Sequence, residues 1–358
     1  MTQANSISSQ VHLVGSIGLD TVQEVYRTVG KMLGRRLRRV PDGEPGGRRL
    51  WIIWQYPLLR ANPFLKVDVD AGRIDTIGAP RLCLADDVEP GEIRFGELGY
   101  AREARASYQD FRAARKRGEL PANVRFQLCL PTPMAVTYAF CSAKDLPEIE
   151  RAYEQAMIGE VQAMCRAVPH KDLCIQWDVC VEMIIWDGQK TERYSSEGYS
   201  SEGASNEAIM ARMRRICAAV PKNVELGIHL CYGDFDARHS VQPIDAGKMV
   251  DLANALAKSI DRPIAYVHAP VPINRSDDAF FRPFSDLKLA PDTEFYLGVI
   301  HAADGVEGAK KRVAAARKYI GKFGIATECG MARAKKPDVV RTLLEIHAKM
   351  AREPRARK

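Results

Sequence analysis

Short β-branched runs alternate with longer stretches of helical periodicity along almost the whole chain, and this alternation constrains the fold more than any other feature. The candidate strands are 11–17 (VHLVGSI), 37–43 (LRRVPDG), 124–131 (VRFQLCLP), 173–179 (LCIQWDV), 224–231 (VELGIHLC), 264–271 (IAYVHAPV), 295–302 (FYLGVIHA) and 324–330 (GIATECG). Helical patterns occupy 19–33, 146–168, 206–220, 246–260, 308–323 and 336–351. Near-continuous apolar strands, each followed by an amphipathic helix, predict a parallel sheet covered by helices. Eight such units in 358 residues predict an α/β chain closed into a (β/α)8 TIM barrel. A doubly wound sheet is the alternative, but the first strand and turn, VGSIGLD, lacks the full dinucleotide glycine fingerprint.

Two stretches interrupt the rhythm. Residues 44–122 are too long for one crossover and include the Trp- and Pro-rich segment RRLWIIWQYPLLRANP. Residues 186–205 are polar, repeat YSSEG and are expected to form a loop. In a barrel, long excursions after the second and fourth strands stand over the C-terminal face as lids or walls. The aromatic cluster Trp51, Trp54 and Tyr56 is expected in the core, with pocket lining as the alternative. No break in composition marks a domain boundary, so 1–358 is expected to form a single barrel domain.

A content of 46% apolar and 27% charged residues excludes disordered and low-complexity classes. The net charge of +7 is spread over Lys31–Arg39, Lys310–Arg317 and the tail AREPRARK, without interleaved aromatics or a DNA-binding motif. Solvated helix faces explain it, and no nucleic-acid partner is expected. No run reaches the ~18 apolar residues of a membrane helix, and no membrane partner is expected. The polar start MTQANSISSQ lacks a basic-then-apolar leader, so a cytoplasmic location with reduced thiols is expected for the nine Cys.

Barrel chemistry sits at the C-terminal ends of strands. Those positions are Ser16, Asp42, Glu44, Thr132, Asp178, His229, Cys231, His268, His301 and Cys329. The run His229-Leu230-Cys231 is the sharpest local signal, because strand alternation points residues i and i+2 to the same side. Cys329 ends the last strand, across a closed barrel from that pair. One His with two Cys is a zinc donor set, and buried core packing is its plain alternative.

These segments resemble the catalytic domain of cobalamin-independent methionine synthase, in the UROD/MetE-like superfamily. GIHLCYGDF and ECGMAR resemble its two zinc-binding motifs, and VGSIGLD its opening G-S segment. DGEPGGRRLWI, PTPMAVTYAF, IQWDVCVE and LGVIHAADG resemble further motifs in the same order. The resemblance implies a TIM barrel holding one Zn2+ per chain, with His229, Cys231 and Cys329 as ligands. It implies that Ser16, Glu44 and Asp178 hold the amino and carboxylate groups of a homocysteine-like substrate. It also implies that His301 moves protons near the transferred methyl group. Zinc coordination would keep the substrate thiol as a nucleophilic thiolate at neutral pH.

The departures from the family are equally informative. Where the family has a glutamate as fourth zinc ligand, this chain has His268, expected to complete the set, with Asp234 or water as alternatives. A less negative donor set makes a bound thiolate less reactive. The position that stacks on folate is Tyr138 in place of Trp. The segment 236–260 is longer than in the synthase, and His239 within it is expected at the surface. The synthase's second barrel is not expected within these 358 residues. The expected function is therefore a zinc-dependent methyl or alkyl transferase, with Asp178 and His301 as catalytic groups. The donor would be a folate, a corrinoid or another methylated small molecule, with a corrinoid protein or a second copy as further partners. A lyase or decarboxylase acting on a small carbonyl or carboxylate substrate is the alternative.

Overall fold

The opening extended segment is where the barrel closes. Val11 makes parallel bridges to Leu37 and to Ile325, near the first and last strands of the main sheet. The Val11 amide donates to the Arg36 carbonyl at 3.0 Å, and the His12 amide to the Ile325 carbonyl at 3.0 Å. The computed structural model describes residues 10–189, 203–233, 239–334 and 336–351. Its main sheet is wholly parallel and runs β1 (Arg39–Pro41), β6 (Arg125–Pro131), β7 (Leu173–Val179), β8 (Glu225–Leu230), β9 (Tyr266–Pro270), β10 (Glu294–Ile300) and β11 (Gly324–Thr327). With the opening segment as its eighth member, this is the expected (β/α)8 barrel, and every expected strand contributes to it.

Helices α1 (Val22–Leu33), α5 (Leu146–Ala167), α7 (Asn206–Ala218), α8 (Gly247–Ser259), α10 (Gly305–Ala316) and α11 (Pro337–Met350) answer the expected helical patterns. Their starts follow local chemistry. The Thr21 hydroxyl accepts from the Glu24 amide, and the Ser205 hydroxyl from the Ala208 amide, each satisfying a first-turn N–H that the helix cannot.

The excursion 44–122 holds more order than its composition suggested. It contains short antiparallel pairs, β2 (Leu65–Val67) with β5 (Leu82–Leu84) and β3 (Arg73–Ile74) with β4 (Ala79–Pro80), and a helix α2 (Tyr56–Arg60). It ends in α3 (Tyr100–Lys116), a barrel helix that packs on α1 and α5. The N-terminus of α3 is capped across the structure, where the Glu160 carboxylate of α5 accepts from the Leu98 amide at 2.7 Å and also from the Ala101 amide. A cap supplied 59 residues away leaves no local sequence signature. The polar stretch 190–202, most of the expected loop, lies outside the described residues, as do Asp234 and the end of the basic tail. Among the described residues no helix is long and apolar enough to cross a membrane.

The N-terminal end of the barrel is closed by ion pairs. Arg39 of β1, 4% exposed at its side chain, lies between Glu225 at 2.5 Å and Glu294 at 2.7 Å and stacks over the Tyr266 ring. Arg125 takes the other oxygen of Glu225 at 2.8 Å. Above it, Gln176 ties the interior together, donating to the Val14 carbonyl at 2.6 Å and to Asp178 at 2.8 Å, and accepting from the Tyr266 hydroxyl at 2.8 Å.

Candidate active site

Strand register lays out the C-terminal rim. Asp178 of β7 is level with His229 of β8, and His229 with His268 of β9. Cys231 lies one residue beyond β8, yet its amide still donates to the Val179 carbonyl at 3.0 Å. The strand alternation therefore continues, and Cys231 and His229 face the same way. Cys329 follows β11 in a turn tied by the Thr327 hydroxyl, which donates to the Cys329 carbonyl at 2.7 Å. Gly330 completes that turn against the opening segment. A Cβ there would stand 2.2 Å from the Ser16 hydroxyl, which would have to turn aside to admit it.

These elements bring His229, Cys231 and Cys329 together, with one donor atom from each within 4.8 Å of the others. The two sulfurs are 3.9 Å apart. Two thiolates sharing a tetrahedral zinc at the usual ~2.3 Å would be about 3.8 Å apart, so the donor set fits that ion in chemistry and spacing. Both cysteines are free thiols, like every other cysteine of the chain.

The same pocket carries the expected substrate groups. Ser16, Glu44 and Asp178 line it together with the three donors. Asp42 shapes the Glu44 loop: it accepts from the Glu44 amide at 2.9 Å and from the Ser107 hydroxyl at 2.6 Å, and pairs with Arg48 at 2.8 Å. Glu44 itself takes a left-handed φ of 51°, at a cost of order 1–3 kcal/mol in a non-glycine residue. Cys129 lies beneath the pocket, donating to the Val14 carbonyl at 3.2 Å. Burial first, then the carboxylates of Asp178 and Glu44, raise its pKa well above the ordinary thiol value.

Other expected residues are placed elsewhere. His268 stands behind His229, and both its ring nitrogens are engaged. Its Nδ1 is 2.7 Å from Nδ1 of His229, and its Nε2 is 3.0 Å from the Thr327 carbonyl. Burial pushes its pKa down to about 3, keeping the ring neutral. His268 is thus not brought into the donor cluster as the expected fourth ligand. Tyr138, half-buried on α4 (Pro133–Phe140), does not line the pocket.

His301 does not line the pocket either. Its Nε2 donates to the Val271 carbonyl at 2.9 Å, and its Nδ1 faces Glu328 at 3.6 Å. Burial lowers the His301 pKa, partly offset by Glu328. His239 was expected at the surface, but its side chain is 4% exposed and sits 3.1 Å from the other Glu328 oxygen. The contact spans 89 residues, which no local pattern reveals.

Trp51 is the pocket residue that sequence reasoning set aside. It lines the same pocket, at a left-handed φ of 57°. Its one sequence signal is its position seven residues after Glu44 in the DGEPGGRRLWI segment.

Comparison with known proteins bears on the fold. No protein-family model matches the chain, and no curated protein matches it in sequence. Among solved structures, a B12-independent methionine synthase from Shewanella sp. W3-18-1, in complex with selenomethionine, superposes with a TM-score of 0.62 at 14% identity, covering 97% of each chain. A putative vitamin-B12 independent methionine synthase from Listeria monocytogenes gives 0.54 at 14% identity, over 93% of this chain and 86% of that one. This chain shares their fold. A methyltransferase from Methanosarcina mazei gives 0.50 at 12% identity, over 94% of this chain and 93% of that one.

Proposed function

We propose that this chain is a zinc-dependent methyl or alkyl transferase whose acceptor is a small thiol carrying an α-amino group. One observation carries the reading: a His–Cys–Cys donor set opens into the same pocket as Ser16, Glu44 and Asp178. The shared fold with two methionine synthases and a methyltransferase supports methyl transfer as the reaction class.

His229, Cys231 and Cys329 would hold the metal. Bound there, zinc supplies the positive charge that favours the deprotonated form of a sulfur ligand near neutral pH. The rest is the work of the chain's own groups. Glu44 and Asp178 present two carboxylates to an ammonium group, at ~1.5–3 kcal/mol for each charge-assisted hydrogen bond. Gln176 holds the Asp178 carboxylate from below, fixing its direction. Ser16 offers its hydroxyl to the substrate carboxylate, and the Trp51 indole walls the pocket against water. With its ammonium and carboxylate ends held, an amino thiol can aim its sulfur at the donor set and at a methylated donor entering from the open face. A proton taken up by His301 at Nδ1 would be held against Glu328.

Calorimetric titration of the zinc-loaded protein tests the clamp. Asp178→Asn is expected to weaken homocysteine by ~10–100-fold, the loss of one charge-assisted contact, while 3-mercaptopropionate, which has no ammonium group, binds as before. Equal losses for both thiols would remove Asp178 from the clamp.

A further inference from the structure

We propose that His268 is a positioning residue: it presents His229 to the metal through Nε2 and leaves the fourth coordination place to the substrate. The proposal rests on the zinc reading above, and its argument is one of donors and acceptors. The Thr327 carbonyl can only accept, so the His268 nitrogen 3.0 Å from it, Nε2, carries the hydrogen. A neutral imidazole then has its lone pair on Nδ1. His229 Nδ1, 2.7 Å away, must therefore donate to it, which puts the lone pair of a neutral His229 on Nε2.

With Nδ1 committed to His268, Nε2 is the atom His229 brings to Cys231 and Cys329. The relay is sealed, since His229 is 2% and His268 0% exposed, so water cannot exchange for either partner. It is also held by the backbone, because the two histidines are register neighbours on β8 and β9. A ring with both nitrogens spent cannot also ligate. The protein then gives the metal three ligands, the count found where zinc keeps one place for water or substrate. Partners behind a ligating histidine usually contribute 10–100-fold in metal affinity.

The test measures zinc affinity by chelator competition, together with the nitrogen count from X-ray absorption of the zinc-loaded protein. His268→Leu removes the acceptor and is expected to weaken zinc by ~10–100-fold. His268→Asn, whose side-chain oxygen can take the place of Nδ1, is expected to recover most of that loss. One imidazole nitrogen per zinc is expected in wild type and in His268→Asn alike. Two nitrogens in wild type, falling to one in His268→Asn, would make His268 a ligand and overturn the proposal. Unchanged affinity in His268→Leu, or His268→Asn as weak as His268→Leu, would overturn it too. Should His268→Leu not fold, the nitrogen counts of wild type and His268→Asn still decide. Failure of the wild-type protein to bind zinc would instead remove the zinc reading itself, and this proposal with it.

Discussion

The two ends of the barrel use charge in opposite ways. At the N-terminal end Arg39 and Arg125 meet Glu225 and Glu294, so that acid and base neutralise each other inside the fold. At the C-terminal rim the convergent groups are two carboxylates, two thiols and an imidazole, all of them acceptors or proton-releasing donors. Cys129 reports the resulting field, since Asp178 and Glu44 add to burial in raising its pKa. A pocket of that sign suits a metal cation and an ammonium group. The difference teaches where each end gets its purpose: the base pairs its charges within the protein, whereas under the proposed function the rim is completed by a metal and a substrate.

The sharpest way to break this comparison is to cross the two ends. Arg39→Ala removes the buried member of this network, leaving Glu225 with Arg125 and Glu294 with Arg38, and should cost ~1–3 kcal/mol in chemical denaturation, with zinc affinity unchanged. Cys231→Ser should do the reverse. Its zinc affinity should fall by more than the ~100-fold upper range of an outer partner, while stability of the metal-free protein stays within about 1 kcal/mol. An Arg39→Ala protein that folds well but cannot hold zinc would show that the ends are not separable.

A smaller effect concerns the pH dependence of stability on the rim side. Glu182, on α6 (Val181–Asp187) just after β7, has its pKa raised to about 7, chiefly by burial. Its folded value lies above its unfolded value of 4.5, so the folded state holds the proton more tightly. That contribution to stability is complete below about pH 4.5 and is lost as pH rises towards about 7, with a slope of at most about 1.4 kcal/mol per pH unit. The buried histidines, His268 and His301 among them, have lowered pKa values and make stability rise with pH over the same window, so Glu182 opposes them and denaturation midpoints should rise less steeply in wild type than in Glu182→Gln. A Glu182→Gln profile no steeper than wild type would assign the slope to other groups.

What could be read in the sequence divides along physical lines. Strand alternation and parallel register are local and periodic, so 224–231 was enough to bring His229 and Cys231 to one side, and the eight runs were enough for the barrel. Cys329 followed from closure. The differences lie where the deciding partner is remote. His268 reads as a ligand until the Thr327 carbonyl, 59 residues on, claims its Nε2. His239 reads as a surface residue until Glu328 claims it. Helix α3 is rich in Arg and Ala, its apolar face is sparse, and its cap comes from Glu160. Trp51 reaches the pocket through a left-handed φ that residue type alone does not announce.

The most direct test of the central claim, that one rim pocket joins a metal donor set to an amino-acid clamp, is zinc X-ray absorption before and after adding homocysteine. The account predicts two sulfur scatterers in the resting protein, those of Cys231 and Cys329, rising to three when homocysteine binds. A count that stays at two while calorimetry shows homocysteine bound would place the thiol away from the metal and contradict the account.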